Sequence, residues 1–234
     1  MTQELFREDS YLTTCNSQVM AILNQGVVLD CTVFYAEGGG QPGDTGTMHF
    51  ADGRSVSIID TQKSGDEIVH VIADGSPLPE VGQQVTIEID WQRRHRLMRM
   101  HSCMHLLCSI IPFGVTGGSV REDGARLDFD AEDPFDKDLI NESLKRLVGE
   151  DHKMTMRWIT DEELDANPEL VRTLSVQPPR GSGKIRLVEF EGVDLQPCGG
   201  THVKSTAEIG PVKVRKIEKK GKHNRRVNIV FDEV

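Results

Sequence analysis

Two short stretches of this chain carry residues able to hold a metal ion: His101-Ser-Cys-Met-His105 and, far downstream, Cys198-Gly-Gly-Thr-His202. Residues four apart on a helix lie on one face, about one turn along it. The imidazoles of His101 and His105 can therefore reach the same ion. Glycine lets a backbone bend tightly, so Cys198 and His202 can close the shell from a loop around Gly199-Gly200. Three imidazoles and a thiolate form a Zn²⁺ donor set, with bonds of about 2.0–2.3 Å. Either pair alone reads equally well as polar helix residues or a buried thiol. The two pairs together are how a zinc site ties sequence-distant elements, so one Zn²⁺ ion is the expected cofactor.

Two further stretches are candidates for binding. Glu37-Gly-Gly-Gly-Gln-Pro-Gly-Asp-Thr-Gly46 is glycine-rich, but a phosphate-binding loop also needs Lys-Ser/Thr ahead of a helix. This one leads into strand-forming residues, which excludes ATP as a ligand. Its glycines instead allow the backbone to approach another surface, and Gln41 can donate and accept hydrogen bonds there. From Lys213 to Arg226 the chain carries eight Lys or Arg against Glu218 alone. That local +7 leaves −17 for the rest of a chain whose net charge is −10. A basic footprint on an acidic body suggests local contact with nucleic acid rather than a general coat.

The elements that must position these residues fall into two regions. Residues 1–90 read as all-β, with strands expected at Thr45–Phe50, Ser55–Asp60, Ile68–Ile72 and Gln84–Ile89 and glycine-bearing turns between them. That spacing suggests a small barrel or sandwich, with the glycine-rich loop at 38–46. From Trp91 the period changes. Leu97, Met100, Met104, Leu107 and Ile111 recur at helical spacing as core positions, and the helix must stop before Pro112. A second amphipathic helix over 135–148 should bury Leu139, Leu144, Leu147 and Val148, and Thr160-Asp-Glu-Glu163 opens a capped helix. Strands are expected at Arg126–Phe129, Met154–Ile159 and Lys184–Phe190, with a closing pair at 210–217 and 225–231. Separated strands among helices make residues 91–234 an α+β sheet with helices on one side.

The chain has 234 residues, enough for one large domain or two modest ones. Its apolar runs are too short to span a membrane. The first residues carry no basic-then-apolar leader and read as a mature start. Cys15, Cys31, Cys103, Cys108 and Cys198 are odd in number and scattered, which fits a reducing cytoplasm better than a disulfide framework.

The combined motifs resemble a known family. His101-x-x-x-His105 with Cys198-Gly-Gly-Thr-His202, followed by Thr206-Ala-Glu-Ile-Gly210, resembles the editing domain of alanyl-tRNA synthetases. Tyr35-Ala-Glu-Gly-Gly-Gly-Gln-Pro-Gly-Asp44 and Lys220-Gly-Lys-His-Asn-Arg-Arg226 resemble the same family. Together in one free chain they are similar to the AlaX trans-editing proteins of the longer kind. The likeness runs from about residue 26 to the end. It implies a small translation-factor-like β-barrel followed by a two-layer α/β editing domain of the threonyl/alanyl-tRNA synthetase common type. It also implies zinc at His101, His105, Cys198 and His202, and hydrolysis of the ester in Ser-tRNA(Ala). No aminoacylation domain is expected in a chain of this length, and oligomeric state, monomer or dimer, is left open. Threonyl-tRNA synthetases share a similar scaffold but usually carry Pro where Thr201 stands here, so the resemblance favours the alanine system.

One departure from the family concerns specificity. Synthetase-borne copies often place Thr before the second histidine, where this chain has Met104. Alignment to the smaller AlaX relatives offers Thr116, within Gly114-Val-Thr-Gly-Gly118, as the substitute hydroxyl. The resemblance also makes Gln41 a catalytic candidate that orients water or the terminal adenosine, with Gly39 and Gly40 beside the acceptor end. Lys213, Lys219, Lys220, Lys222, Arg225 and Arg226 are the candidate tRNA contacts, joined by Arg93, Arg94, Arg96 and Arg99. Gly-tRNA(Ala) is a further possible substrate. The competing readings are a zinc-stabilised RNA-binding module without hydrolysis and the editing of another mischarged tRNA, such as Thr-tRNA.

Overall fold

The computed structural model describes residues 2–23, 26–174 and 184–233. One expected turn falls partly on Asn24 and Gln25, outside the described residues. The chain forms two compact units, Met1–Arg96 and Leu97–Val234. Among the described residues no helix is long and apolar enough to cross a membrane.

In the first unit a short parallel pair, β1 (Gln3–Glu4) and β4 (Cys31–Thr32), accompanies a closed barrel. Its strands run in the order β2 (Thr14–Leu23), β3 (Gly26–Leu29), β7 (Glu67–Ile72), β6 (Ser55–Ser64), β5 (Gly46–Phe50) and β8 (Gln84–Ile89). In β8 the alternation puts Val85, Ile87 and Ile89 inside, where they meet Met48, Val56, Ile58 and Phe34. This is the period of two that a half-buried pleated strand requires. The expected barrel is therefore present.

The glycine-rich loop is built into that barrel. Gly38 and Gln41 exchange backbone hydrogen bonds of 3.1 and 2.9 Å. A Cβ on Gly43 would stand 2.0 Å from the Thr61 carbonyl oxygen, and one on Gly46 2.0 Å from that of Glu88. At these two positions the close approach expected from composition is to the barrel's own backbone.

Asp44, between them, receives the largest fully buried side chain of the unit, Arg94. The Arg94 guanidinium donates from Nε to both Asp44 oxygens at 3.0 and 2.9 Å and also from Nη2. It further donates to the carbonyls of Ser10 at 3.0 Å and Val33 at 2.7 Å. Asp44 also accepts from the Tyr35 amide at 2.6 Å. Every charge here is hydrogen-bonded, and removing one partner of such a buried pair typically costs about 3–5 kcal/mol. Arg93 donates to the Gly43 carbonyl at 2.7 Å. Arg94 is thus corrected from a phosphate contact to a buried brace, because charge in a sequence does not reveal burial.

Helix α1 (Trp91–Ile110) contains the boundary between the units and ends ahead of Pro112. In the second unit, Leu97, Met100, Met104, Leu107 and Ile111 are buried as their spacing requires. One sheet runs β14 (Val212–Gly221), β15 (Asn224–Phe231), β10 (Gly124–Asp130), β9 (Val115–Arg121), and helix α2 (Lys137–Gly149) packs near β14. A second sheet runs β11 (Met154–Ile159), β12 (Ile185–Phe190), β13 (Asp194–Pro197). Helix α3 (Asp161–Asp165) begins with the expected reciprocal cap between Thr160 and Glu163. One expectation is overturned in α2. Leu139 is 60% exposed, and Ile140, Leu144 and Leu147 form the buried stripe. The Asp136 cap fixes the helix phase, and Leu139 lies about 100° round from Ile140.

His70, fully enclosed in the barrel, sets the unit's response to acid. Its Nδ1 faces the Val27 carbonyl at 3.0 Å and its Nε2 the Thr32 hydroxyl at 2.8 Å. The ring thus donates from Nδ1 and accepts at Nε2 from Thr32. Burial pulls its pKa down to about 4 from 6.5. Below pH 6.5 the unfolded chain takes up a proton that the native barrel refuses until about pH 4. Stability is therefore whole above that window and is lost as pH falls through it, by about 3 kcal/mol in all. Urea unfolding followed by tryptophan fluorescence should show this acid sensitivity in the native chain and a smaller one in His70→Gln.

Candidate metal centre

Helix α1 presents His101 and His105 one turn apart, and β13 runs directly into Cys198. The ladder continues past the strand's end, as the Cys198 amide donates to the Arg186 carbonyl at 3.0 Å. One ligand atom each from His101, His105, Cys198 and His202 lies within 4.8 Å of the others. Cys198 Sγ is 3.5 Å from His101 Nε2 and 3.2 Å from His202 Nε2. A tetrahedral set with bonds of 2.0–2.3 Å has edges of about 3.3–3.8 Å. The four side chains predicted as ligands are thus brought together, and the two sulfur–nitrogen separations are close to those edges. Three imidazoles and one sulfur also match the preferred donors of Zn²⁺.

The residues behind the ligands explain their orientation. His105 Nδ1 meets Asp194 Oδ2 at 2.8 Å, and Gln196 Nε2 donates to the same carboxylate oxygen at 2.8 Å. The Asp194 bond turns Nε2 of His105 towards the other ligands. Ser102 Oγ stands 3.2 Å from His202 Nδ1 and accepts from the Val203 amide at 3.2 Å. A hydrogen bond on the far nitrogen fixes both ring orientation and tautomer. Arg186, itself buried, donates to the carbonyls of Cys198 at 3.2 Å and Gly200 at 2.7 Å, holding the Cys-Gly-Gly bend. The Gly200 amide points at Cys198 Sγ at 3.5 Å.

Protonation follows from this packing. Burial pushes the Cys198 thiol up, but the His101 charge and the hydrogen bonds from His101 and His105 outweigh it and hold the thiol well below its ordinary value. Burial, with the neighbouring His101 charge, keeps His202 well below 6.5. A thiolate and a neutral imidazole are the forms that ligate. Burial also opposes charge on His105, yet Asp194 and Cys198 raise its pKa to about 9. A more basic imidazole is a stronger donor. Cys103 and Cys108 are buried, and burial drives their thiols to about 12. Both are packing residues, as expected, and chemically inert.

Asp194, Gln196, Ser102 and Arg186 had not been read from the sequence. A signal existed for two of them: on a strand leading into Cys198, residues 194 and 196 share its face.

The other predicted site residues are placed as follows. Thr116 is half-buried; its hydroxyl donates to the Asp128 carbonyl at 3.2 Å and accepts from Asn224 at 3.4 Å. Gln41 is fully buried in the first unit. Gly39 and Gly40 take positive φ, and a Cβ on Gly39 would meet nothing within 4 Å. Lys219, Lys220 and Lys222 are exposed, and Lys213 pairs with Asp232 at 2.5 Å. Arg225 is buried, donating to the carbonyls of Gly221 and Asn224, both at 3.1 Å. It braces its own hairpin and is corrected from the exposed basic set. Arg226 is held bidentately by Asp128. Arg99 donates to the Ile209 carbonyl at 2.9 Å and lies over the Phe231 ring, so it too is structural.

Comparison with known proteins adds two family matches. Residues 8–93 match the class II (A) tRNA synthetases, and residues 185–228 match the second additional domain of threonyl and alanyl tRNA synthetases. The alanyl-tRNA editing protein AlaX-M of Saccharolobus solfataricus is 35% identical over 97% of this chain and 98% of its own length. That of Methanosarcina acetivorans is also 35% identical, with the same coverage. The alanine–tRNA ligase of Pyrobaculum neutrophilum is 36% identical over 93% of this chain but only 25% of the ligase.

Asp194 offers a direct check on how the centre is built. Asp194→Asn keeps the shape but loses the charge that orients and polarises His105. Affinity for Zn²⁺, measured by competition with a chromophoric chelator, should fall about 10–100-fold. Metal analysis of the unaltered protein should return one ion per chain.

Proposed function

This chain belongs to the alanyl-tRNA editing family, and on that premise we propose that it hydrolyses the ester joining serine to the 3′ end of tRNA(Ala). The observation that carries the reading is the convergence of four metal-binding side chains in a chain that spans a full-length AlaX-M relative. Residues 91–234 are the editing domain in this reading. The relevant metal is Zn²⁺, held by His101, His105, Cys198 and His202.

A bound Zn²⁺ supplies Lewis acidity, lowering the pKa of a bound water to about 7 or polarising a carbonyl. The protein's own part is positioning. Asp194 and Ser102 hold His105 and His202 in register, and Arg186 holds the bend that carries Cys198. The physical need for a second site is an asymmetry of discrimination. A pocket for alanine rejects serine by only about 10², whereas a site that hydrogen-bonds the hydroxyl refuses alanine by roughly 10⁴–10⁵. Met104 brings no hydroxyl, so Thr116 is the proposed partner for the seryl oxygen; its present hydrogen bonds of 3.2 and 3.4 Å are long enough to be exchanged. Gln41 is proposed to orient the attacking water or the terminal adenosine. Its buried side chain would act only on a substrate inserted beside it.

A second reading, a zinc-stabilised RNA-binding module, is favoured by the count of donors. Four protein ligands are the pattern of a structural ion, whereas catalytic sites usually keep one position open.

Deacylation separates the two. Purified protein should release serine from Ser-tRNA(Ala) at least about 10²-fold faster than alanine from Ala-tRNA(Ala). Chelation should abolish release and added Zn²⁺ restore it. No release of amino acid from serine-, glycine- or threonine-charged tRNA would leave only the binding module. In the same assay Gln41→Ala should lower the rate about 10²-fold; an unchanged rate removes Gln41 from the chemistry.

A further inference from the structure

Outside the metal centre, a cleft of about 290 Å³ lined largely by charged side chains lies on the open face of the four-stranded sheet. Its cations come from all four strands: Arg121 on β9, Arg126 on β10, Arg215, Lys216 and Lys220 on β14, and Arg226 on β15. Cross-strand pairing creates the alignment. Arg126 stands opposite both Ser119 and Asn228, and Asn228 in turn opposite Lys216, so these residues share one face. The opposite face, with Ala125, Leu127, Val227 and Ile229, is buried.

Two carboxylates, Asp123 and Glu218, line the cleft among these six cations, and a third, Asp128, is bonded to two of them. Asp128, only 6% exposed, accepts from Arg226 Nε at 2.7 Å, Arg226 Nη2 at 2.8 Å and Arg126 Nη1 at 2.8 Å. Glu218 holds Lys216 and Lys220, each at 3.1 Å, and accepts from Asn228 at 3.0 Å. A guanidinium has five N–H donors in a fixed fork. Arg226 gives two of them to Asp128 and Arg126 gives one. The carboxylates therefore fix the heads without using up their donors, and a pre-ordered cation loses less entropy on binding an anion.

We propose that this sheet face is where the chain grips RNA phosphates, with Arg121, Arg126, Arg215 and Lys216 joining Lys220 and Arg226 as contacts. The proposal rests on the reading of tRNA as partner and assigns it a surface. Guanidinium and ammonium groups spread over four strands match a run of phosphodiesters. A lipid surface fits less well, since none of the large exposed apolar side chains lies in the cleft. The −10 net charge also makes the position of such a patch decisive, because the rest of the surface repels a polyanion.

The test uses the full chain and uncharged tRNA(Ala). Arg121→Glu with Lys216→Glu alters two contacts that are not bound to Asp128, and Arg121→Gln with Lys216→Gln is a milder version. Lys63→Glu with Lys145→Glu makes the same charge change on exposed residues elsewhere. Fluorescence anisotropy across about 50–200 mM salt should show the cleft variant's log–log salt slope reduced by about 1.5. Its KM for deacylation should rise tenfold or more with kcat unchanged. A slope and KM that stay at the unaltered values, or that move equally in the control, overturn the assignment. The two readings fail separately. RNA binding lost in the cleft variant while the unaltered protein releases no amino acid would end the hydrolase reading and keep the surface. Normal deacylation with unaffected binding would do the reverse.

Discussion

Three imidazoles and a sulfur packed into one buried spot form the constraint on which the second unit depends. The rings of His101 and His202 are 4.4 Å apart between centroids, and those of His105 and His202 4.5 Å. Their polar atoms turn inward towards one another, away from water, an arrangement that costs free energy unless something satisfies it. A divalent cation held by these four side chains would do so. Seen this way, the surrounding elements have distinct duties: α1 sets the spacing of two ligands, β13 delivers the third, and Asp194, Ser102 and Arg186 keep each in its orientation.

The same logic of buried, fully bonded charge recurs in the first unit. Arg94 and Asp44 satisfy one another and the backbones of Ser10, Val33 and Tyr35. Such a pair contributes less to net stability than apolar packing of equal volume, but a misplaced partner is heavily penalised. It ties the start of α1 to the loop that carries Gly43 and Gly46. That loop's glycines follow from the same closeness, since a side chain at either would collide with a neighbouring carbonyl.

Much of this was legible in the sequence, for identifiable reasons. The ligands could be read because metal geometry imposes spacing, and the barrel because its alternation survives in strands such as β8. Strand β9 was not anticipated: Gly117 and Gly118 are poor strand formers, and its pairing with β10 overrides their preference. Gly118 has a steric reason, as a Cβ there would press on Met104 at 3.0 Å and Leu127 at 3.1 Å. Charge misled where burial was hidden. Arg94, Arg99 and Arg225 looked like a polyanion's contacts and are internal braces, while Arg121 and Arg126, outside the basic run, reach the open sheet face. Sequence proximity does not reveal which residues pair across strands. Leu139 failed for a smaller reason, a cap that shifts the helix phase by one residue.

The sulfur of Cys198 and the imidazole of His101 are 97 positions apart along the chain. Closing so long an excursion is insensitive to its length, since even doubling it adds only about 0.6 kcal/mol. Insertions at the hairpin tips along the way should therefore be tolerated in evolution. Parity is another matter. Asp194, Gln196 and Cys198 face the centre because they fall on alternate positions of one pleat. Slipping that strand by a single residue would turn all three to its far side. Descendants of this protein are thus free to lengthen the path between the two ligand pairs, but not to change whether the last step into it is odd or even.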